Sequence, residues 1–278
     1  MQNPNDTDTS NSSAYSDFGI THEDAFFVRD YLRRFVPSEL AYLILNAAHY
    51  WPCVSAERTD DADPFTVLAS SSTGAAAYYL VTPPIPADPG TRPVQIQGVV
   101  FTMRSLYQGA VIPVHRTTLT ASPSAVGRFS DTYNDSRSWF EAGIVRDSLS
   151  LTRVEEQLLS EGNRPRTFKD FDDAAFGRGV GREVENPLRR SRRWKVQYNM
   201  QVTRTVRCHQ IVWTKDNVFD DSVKAKAKAE AWTKGAGTGR GFVSMLRPGD
   251  RVALVVKAQY RGRVNHVFGA TIKIFYSV

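Results

Sequence analysis

From Phe65 onward the chain runs in short stretches of β-branched, aromatic and aliphatic residues broken by turn residues. In Trp194–Val202 and Arg251–Tyr260 apolar and polar positions alternate most cleanly, and Leu246-Arg247-Pro248-Gly249-Asp250 leads into the second as a turn. A period of two places every second side chain on one face, so both stretches predict half-buried β-strands. Phe65–Ser70, Ala77–Val81, Val94–Arg104, Ser138–Arg146, Thr205–Trp213 and Ala270–Tyr276 read the same way. These eight segments, with no long helix between them, predict a mainly β fold: an antiparallel β-sandwich or jelly-roll-like domain. Val196, Tyr198, Leu254 and Val256 are expected in its interior. The proline-rich run Pro83–Gly90 lacks the donors a sheet ladder needs and is expected as an exposed connection.

The first part of the chain has a helical period instead. Glu23 and Asp24 open and Arg33 and Arg34 close the segment His22–Arg34, a polarity that suits a helix dipole. Pro37, Ser38 and Glu39 then open a second helix, where Leu40, Leu43, Ile44, Ala47 and Trp51 form one apolar stripe before Pro52. The predicted organisation is a disordered polar tail over 1–20, a short helical hairpin over 21–55, and a β-sandwich over 56–278 with loop insertions at 149–193 and 216–241. The run Gly235-Ala-Gly-Thr-Gly-Arg-Gly241 fits neither a Walker loop, since Phe242 and Val243 follow it, nor a dinucleotide fingerprint. It is expected as a flexible connection.

Charge divides the chain unevenly. Residues 164–278 hold 24 basic and 10 acidic residues and the rest 11 and 19, so the net +6 is a +14 part joined to a −8 part. A basic half attracts anionic partners through its long-range field. The cluster Arg189, Arg190, Arg192, Arg193 with Trp194 and Lys195 is the candidate contact for such a partner; edge protection of the following strand and nuclear import are the alternatives. No run of about 18 apolar residues is present to span a bilayer, and the polar N-terminus does not read as a secretion signal. With Cys53 and Cys208 the only cysteines, a reducing compartment is expected, cytoplasmic or nuclear.

No catalytic signature stands out. The five histidines share no metal-ligand spacing, no serine sits in a glycine-flanked elbow, and no metal or cofactor is expected. Gln108, Tyr133 and Trp139 are the candidate ligand-binding residues: aromatic faces match sugar C–H surfaces and an amide fixes orientation.

Several blocks resemble a family of uncharacterised proteins from filamentous fungi: Val99-Val100-Phe101, Gln108-Gly109, Ser138–Ile144, Arg193–Gln197, His209–Trp213, Gly241-Phe242-Val243 with Leu246–Val252, and Val264–Val267. Within it, Phe35–Leu45 through Tyr50-Trp51-Pro52 is similar to the opening of an F-box, a helical motif that docks substrate receptors onto a ubiquitin ligase. The resemblance implies that Leu40, Leu43 and Ile44 face a protein adaptor. The expected function is a non-enzymatic binding module that recognises a protein or glycan-like ligand through its loops, with the F-box-like adaptor as the alternative. A protein is the expected partner, an anionic ligand is possible, and nucleic acid is not favoured.

Overall fold

A computed structural model describes residues 19–70, 72, 74–87, 94–108, 133, 136–146, 166–167, 182–188, 191–200, 205–215 and 235–278. Two antiparallel sheets pack face to face. One is built from β1 (Cys53–Thr59), β2 (Phe65–Leu68), β4 (Gln95–Gln108), β9 (Arg207–Thr214) and β11 (Val264–Ser277), in the order β1-β11-β4-β9 with β2 also on β11. The other holds β3 (Ala75–Val81), β5 (Ser138–Arg146), β6 (Arg166–Thr167), β7 (Arg182–Glu183), β8 (Arg193–Tyr198) and β10 (Arg251–Ala258), in the order β6-β3-β10-β5-β7 with β8 also on β5. The predicted sandwich is therefore present, with β10 and β11 as interior strands.

Val99, Phe101 and Met103 of one sheet face Phe140, Ala142, Ile144, Val252, Leu254 and Val256 of the other, all buried. Trp194, Trp213, Phe101 and Phe242 meet edge to face, a preferred arrangement because ring edges are positive and faces negative. At one end a polar network ties the layers together. Asn199 Nδ2 donates to Ser138 Oγ at 2.8 Å and to Asn265 Oδ1 at 2.9 Å, while Ser105 Oγ donates to Asn199 Oδ1 at 2.8 Å. All four residues are buried, and their mutual bonds offset the cost of removing them from water.

The period-of-two reading fails where the ladder slips. Between Phe140 and Glu141 the β5–β8 register shifts, leaving Val196 without an opposite residue, so Gln197 turns inward and Tyr198 pairs with Trp139 on the outer face. Val196, Leu254 and Val256 are core; Tyr198 is not. Strand β10 is buried along its whole length rather than half-buried. Its outward charges are internally matched: Lys257 Nζ lies 2.9 Å from Glu141 Oε2, and Arg251 Nη1 donates to the Thr82 carbonyl. Burial alone would raise the Glu141 pKa, but Lys257 and the Trp139 N–H bond overcome it and hold the carboxyl low.

The glycine-rich run does not form a loose connection. Residues 235–241 close the gap between β8 and β9. Tyr198 N donates to Gly235 O, Gly237 N to Val196 O, and Trp213 Nε1 to Gly237 O. A Cβ on Gly237 would meet the Lys195 carbonyl oxygen at 1.7 Å, and one on Gly239 would enter the Trp213 indole. The glycines are needed for close approach and, at Gly239 and Gly241, for φ of +59° and +75°. Past them, α3 (Phe242–Met245) drives Phe242 into the aromatic centre. The proline run is likewise anchored, since Ile85 is buried and exchanges backbone bonds with Gly249 and Asp250.

Two helices precede the sandwich: α1 (His22–Leu32) and α2 (Ser38–Ala47). Thr21 and Asp24 form a reciprocal capping box at the start of α1, satisfying two donors that a helix end leaves free. Pro37 is the N-cap of α2. Strand β1 starts at Cys53, within the stretch assigned above to the hairpin.

Candidate protein-docking surface

The hairpin is held to the sandwich by a narrow set of small or polar contacts. On α2, Ala41 and Leu45, one turn apart, are buried. Between them Tyr42 projects its hydroxyl to Gln95 Oε1 at 3.2 Å and lies 3.2 Å from Ser277 Oγ. On α1, Ala25 is buried and His22 Nδ1 lies 3.1 Å from the Tyr276 hydroxyl. Trp51 stacks on His49 and donates to Asn46 Oδ1, closing the exit from α2, and the Tyr276 N–H donates to the Pro52 carbonyl where the chain enters β1.

Fastened this way, the hairpin buries Leu45 but leaves several other large apolar side chains in solvent. Leu40, Leu43 and Ile44 are exposed, Leu43 to 56%. On α1 and the turn after it, Phe27 is 74% exposed, Phe35 70%, and Tyr31 stands between them with its ring 5.3 Å from that of Phe35. Phe27 and Tyr31 fall at i and i+4 on one face of α1, and Phe35 extends that row from the turn through its contact with Tyr31. The apolar stripe read along α2 is real, but it points away from the sandwich.

The other candidate residues do not converge. Gln108 is the last residue of β4, opposite Val264, and its side chain lies outside the described residues. Tyr133 packs its ring against Gly235 and sits 5.8 Å from His209 of β9. Trp139 is on the far side, on the outer face of β5. There its indole donates to Glu141, is nearly buried, and has the Lys195 ammonium 5.0 Å from its centroid. Tyr133 and Trp139 thus belong to different surfaces.

The arginine cluster is split as well. Arg189 and Arg190 lie outside the described residues. Arg192 reaches Glu185 at 3.5 Å, and Arg193 is a correction to the surface reading: its guanidinium is buried and bonds Glu183 at 2.9 Å. The Tyr78 hydroxyl donates to that same carboxylate oxygen at 2.7 Å. An Arg193 side chain committed to this pair has no charge to offer a partner.

No family model, no curated protein and no solved structure matches this chain. The geometry therefore stands on its own. Among the described residues no three His, Cys, Asp or Glu side chains group as metal ligands. No helix of the described residues is long and apolar enough to cross a membrane. Burial, and then the neighbouring Arg207, push the His209 imidazole down to about 4, and its buried Nε2 has no hydrogen-bond partner among the described residues. That ring is neutral and packed on Tyr133.

Sequence reasoning named Leu40, Leu43 and Ile44 but left Phe27, Tyr31 and Phe35 as ordinary helix residues. The signal was present in their four-residue spacing, set against the single small residue, Ala25, that α1 buries.

Proposed function

We propose that this chain is a protein-docking module in which the sandwich is a rigid base and the α1–α2 hairpin is the contact. The observation that carries the reading is the outward apolar side of the hairpin. Phe27, Tyr31, Phe35, Leu40, Leu43 and Ile44 stay in solvent while Ala25, Ala41 and Leu45 beside them are buried. Clustered exposure of large apolar groups marks interaction surfaces, and aromatic anchors contribute most of the energy in such interfaces. The F-box-like character of Phe35–Leu45 names the partner class: the adaptor subunit of a ubiquitin ligase, met by Leu40, Leu43 and Ile44.

Isothermal titration of the intact protein with the purified adaptor tests this. Each exposed aliphatic side chain that becomes buried contributes about 1.5 kcal/mol or more. The Leu43→Asp/Ile44→Asp variant should therefore weaken binding by roughly a hundredfold or more, while its melting temperature stays near wild type. Absence of wild-type binding, or equal binding by the variant, refutes the adaptor reading.

A further inference from the structure

The tight connection between β10 and β11 carries a feature that protein docking does not use. Tyr260 has φ +68°, the left-handed region that a bulky side chain avoids, and the residue is 43% exposed. The turn around it is clamped on both sides. Arg263 N donates to Tyr260 O, Gly262 N to Ala69 O, Ala69 N to Arg263 O, and Gln259 N to Arg137 O. Nothing in this frame requires an aromatic residue, and glycine or asparagine would fit the backbone with less strain. Strain kept at an exposed aromatic points to use of the ring.

Its surroundings are cationic. The Arg137 guanidinium carbon sits 5.0 Å from the Tyr260 centroid, Arg261 is exposed next to it, and Arg263 lies 6.0 Å from the Tyr107 ring. Among the described residues, the turn and the segments bonded or stacked to it, Leu68–Ser70, Ser105–Tyr107 and Ser136–Ser138, hold no acidic residue. An exposed tyrosine with one guanidinium over its ring and two further arginines in the same turn presents a π-face and positive charge together. We infer that this end of the sandwich binds single-stranded nucleic acid, a base stacking on Tyr260 and the adjoining phosphates meeting Arg137, Arg261 and Arg263. Stacking tolerates any base and guanidinium groups pair with phosphate, whereas an anionic peptide would use the charges and leave the ring idle.

Fluorescence anisotropy with a labelled twelve-residue oligothymidylate is the test. Three phosphate contacts predict a slope of log K against log salt of about −2, and Arg261→Gln should make it shallower by about 0.7. Tyr260→Gly removes the stack while relieving the backbone. It should weaken binding about tenfold or more and leave the melting temperature unchanged or higher. Tyr260→Phe should retain binding. The proposal is overturned if Tyr260→Gly binds like wild type, if a duplex of equal length binds more tightly, or if a phosphoserine-rich peptide competes equally per phosphate.

Discussion

Replacing Gly239 by alanine tests whether the glycine run is a packed closure of the sandwich. The backbone there has φ +59°, and an added Cβ would lie 2.1–2.4 Å from Cδ2, Cγ and Cε2 of Trp213. Placing an L side chain in the left-handed region costs about 1–2 kcal/mol, and forcing a methyl into a filled core costs about 1–3 more. Trp213 cannot easily yield, because it is fully buried, packs on Phe101 and Phe242, and donates to Gly237 O. The expected loss is about 2–5 kcal/mol, which at roughly 2–4 °C per kcal/mol for a chain of this size lowers the melting temperature by roughly 4–20 °C. Gly249→Ala supplies the control. Gly249 has φ +88° but nothing within 4 Å of its Cβ position, so it bears the backbone cost alone. Urea denaturation followed by circular dichroism gives both values. If the two variants differ by less than about 0.5 kcal/mol, a resolution set by ordinary surface substitutions, the steric argument is wrong and the run is a loose connection after all.

The buried pair of Arg193 and Glu183 gives a second prediction. Arg193→Met should destabilise by about 3–5 kcal/mol by stranding a buried carboxylate, and Arg193→Met with Glu183→Leu should recover most of that; a double variant no better than the single would refute the pairing. His209 gives a pH dependence. Its folded value of about 4 lies below the ordinary 6.5, so the unfolded chain takes up the proton more readily. Stability should be full above pH 6.5 and fall as pH drops from 6.5 towards 4, by at most about 3 kcal/mol. Comparison of denaturation midpoints at pH 7 and pH 4.5 for wild type and His209→Phe should show a smaller drop in the variant, and an equal drop would place the titrating group elsewhere. Finally, Phe27→Ser/Phe35→Ser should leave the melting temperature within about 4 °C of wild type, since exposed substitutions usually change stability by under about 0.5 kcal/mol each; a larger drop would mean that these rings support the fold.

Where the sequence was readable, it was so because burial on one face leaves a period of two. Ser138–Arg146 has the predicted limits, and most other predicted strands differ by a few residues at one end or the other. Strand β1 went unread because Cys53–Thr59 is only partly buried, with Val54 and Ala56 its main apolar residues against the core. Arg251 and Lys257 looked like solvent-facing positions, and only the tertiary partners Thr82 and Glu141 make their burial possible. The glycine run misled for a related reason: glycine serves both slack chain and close contact, and only the facing Lys195 carbonyl and Trp213 ring tell them apart. On the hairpin the stripe was legible but its direction was not, because an apolar face ordinarily turns inward.

The placement of β10 and β11 inside their sheets bears on biosynthesis. Every other described strand except β6, β7, β8 and β9 pairs with one of these two, and both leave the ribosome after all the rest. Their neighbours β1, β3, β4 and β5 therefore each emerge with a hydrogen-bonding edge left open. Such a nascent chain is exposed to wrong pairings until these two strands, one in each sheet, arrive.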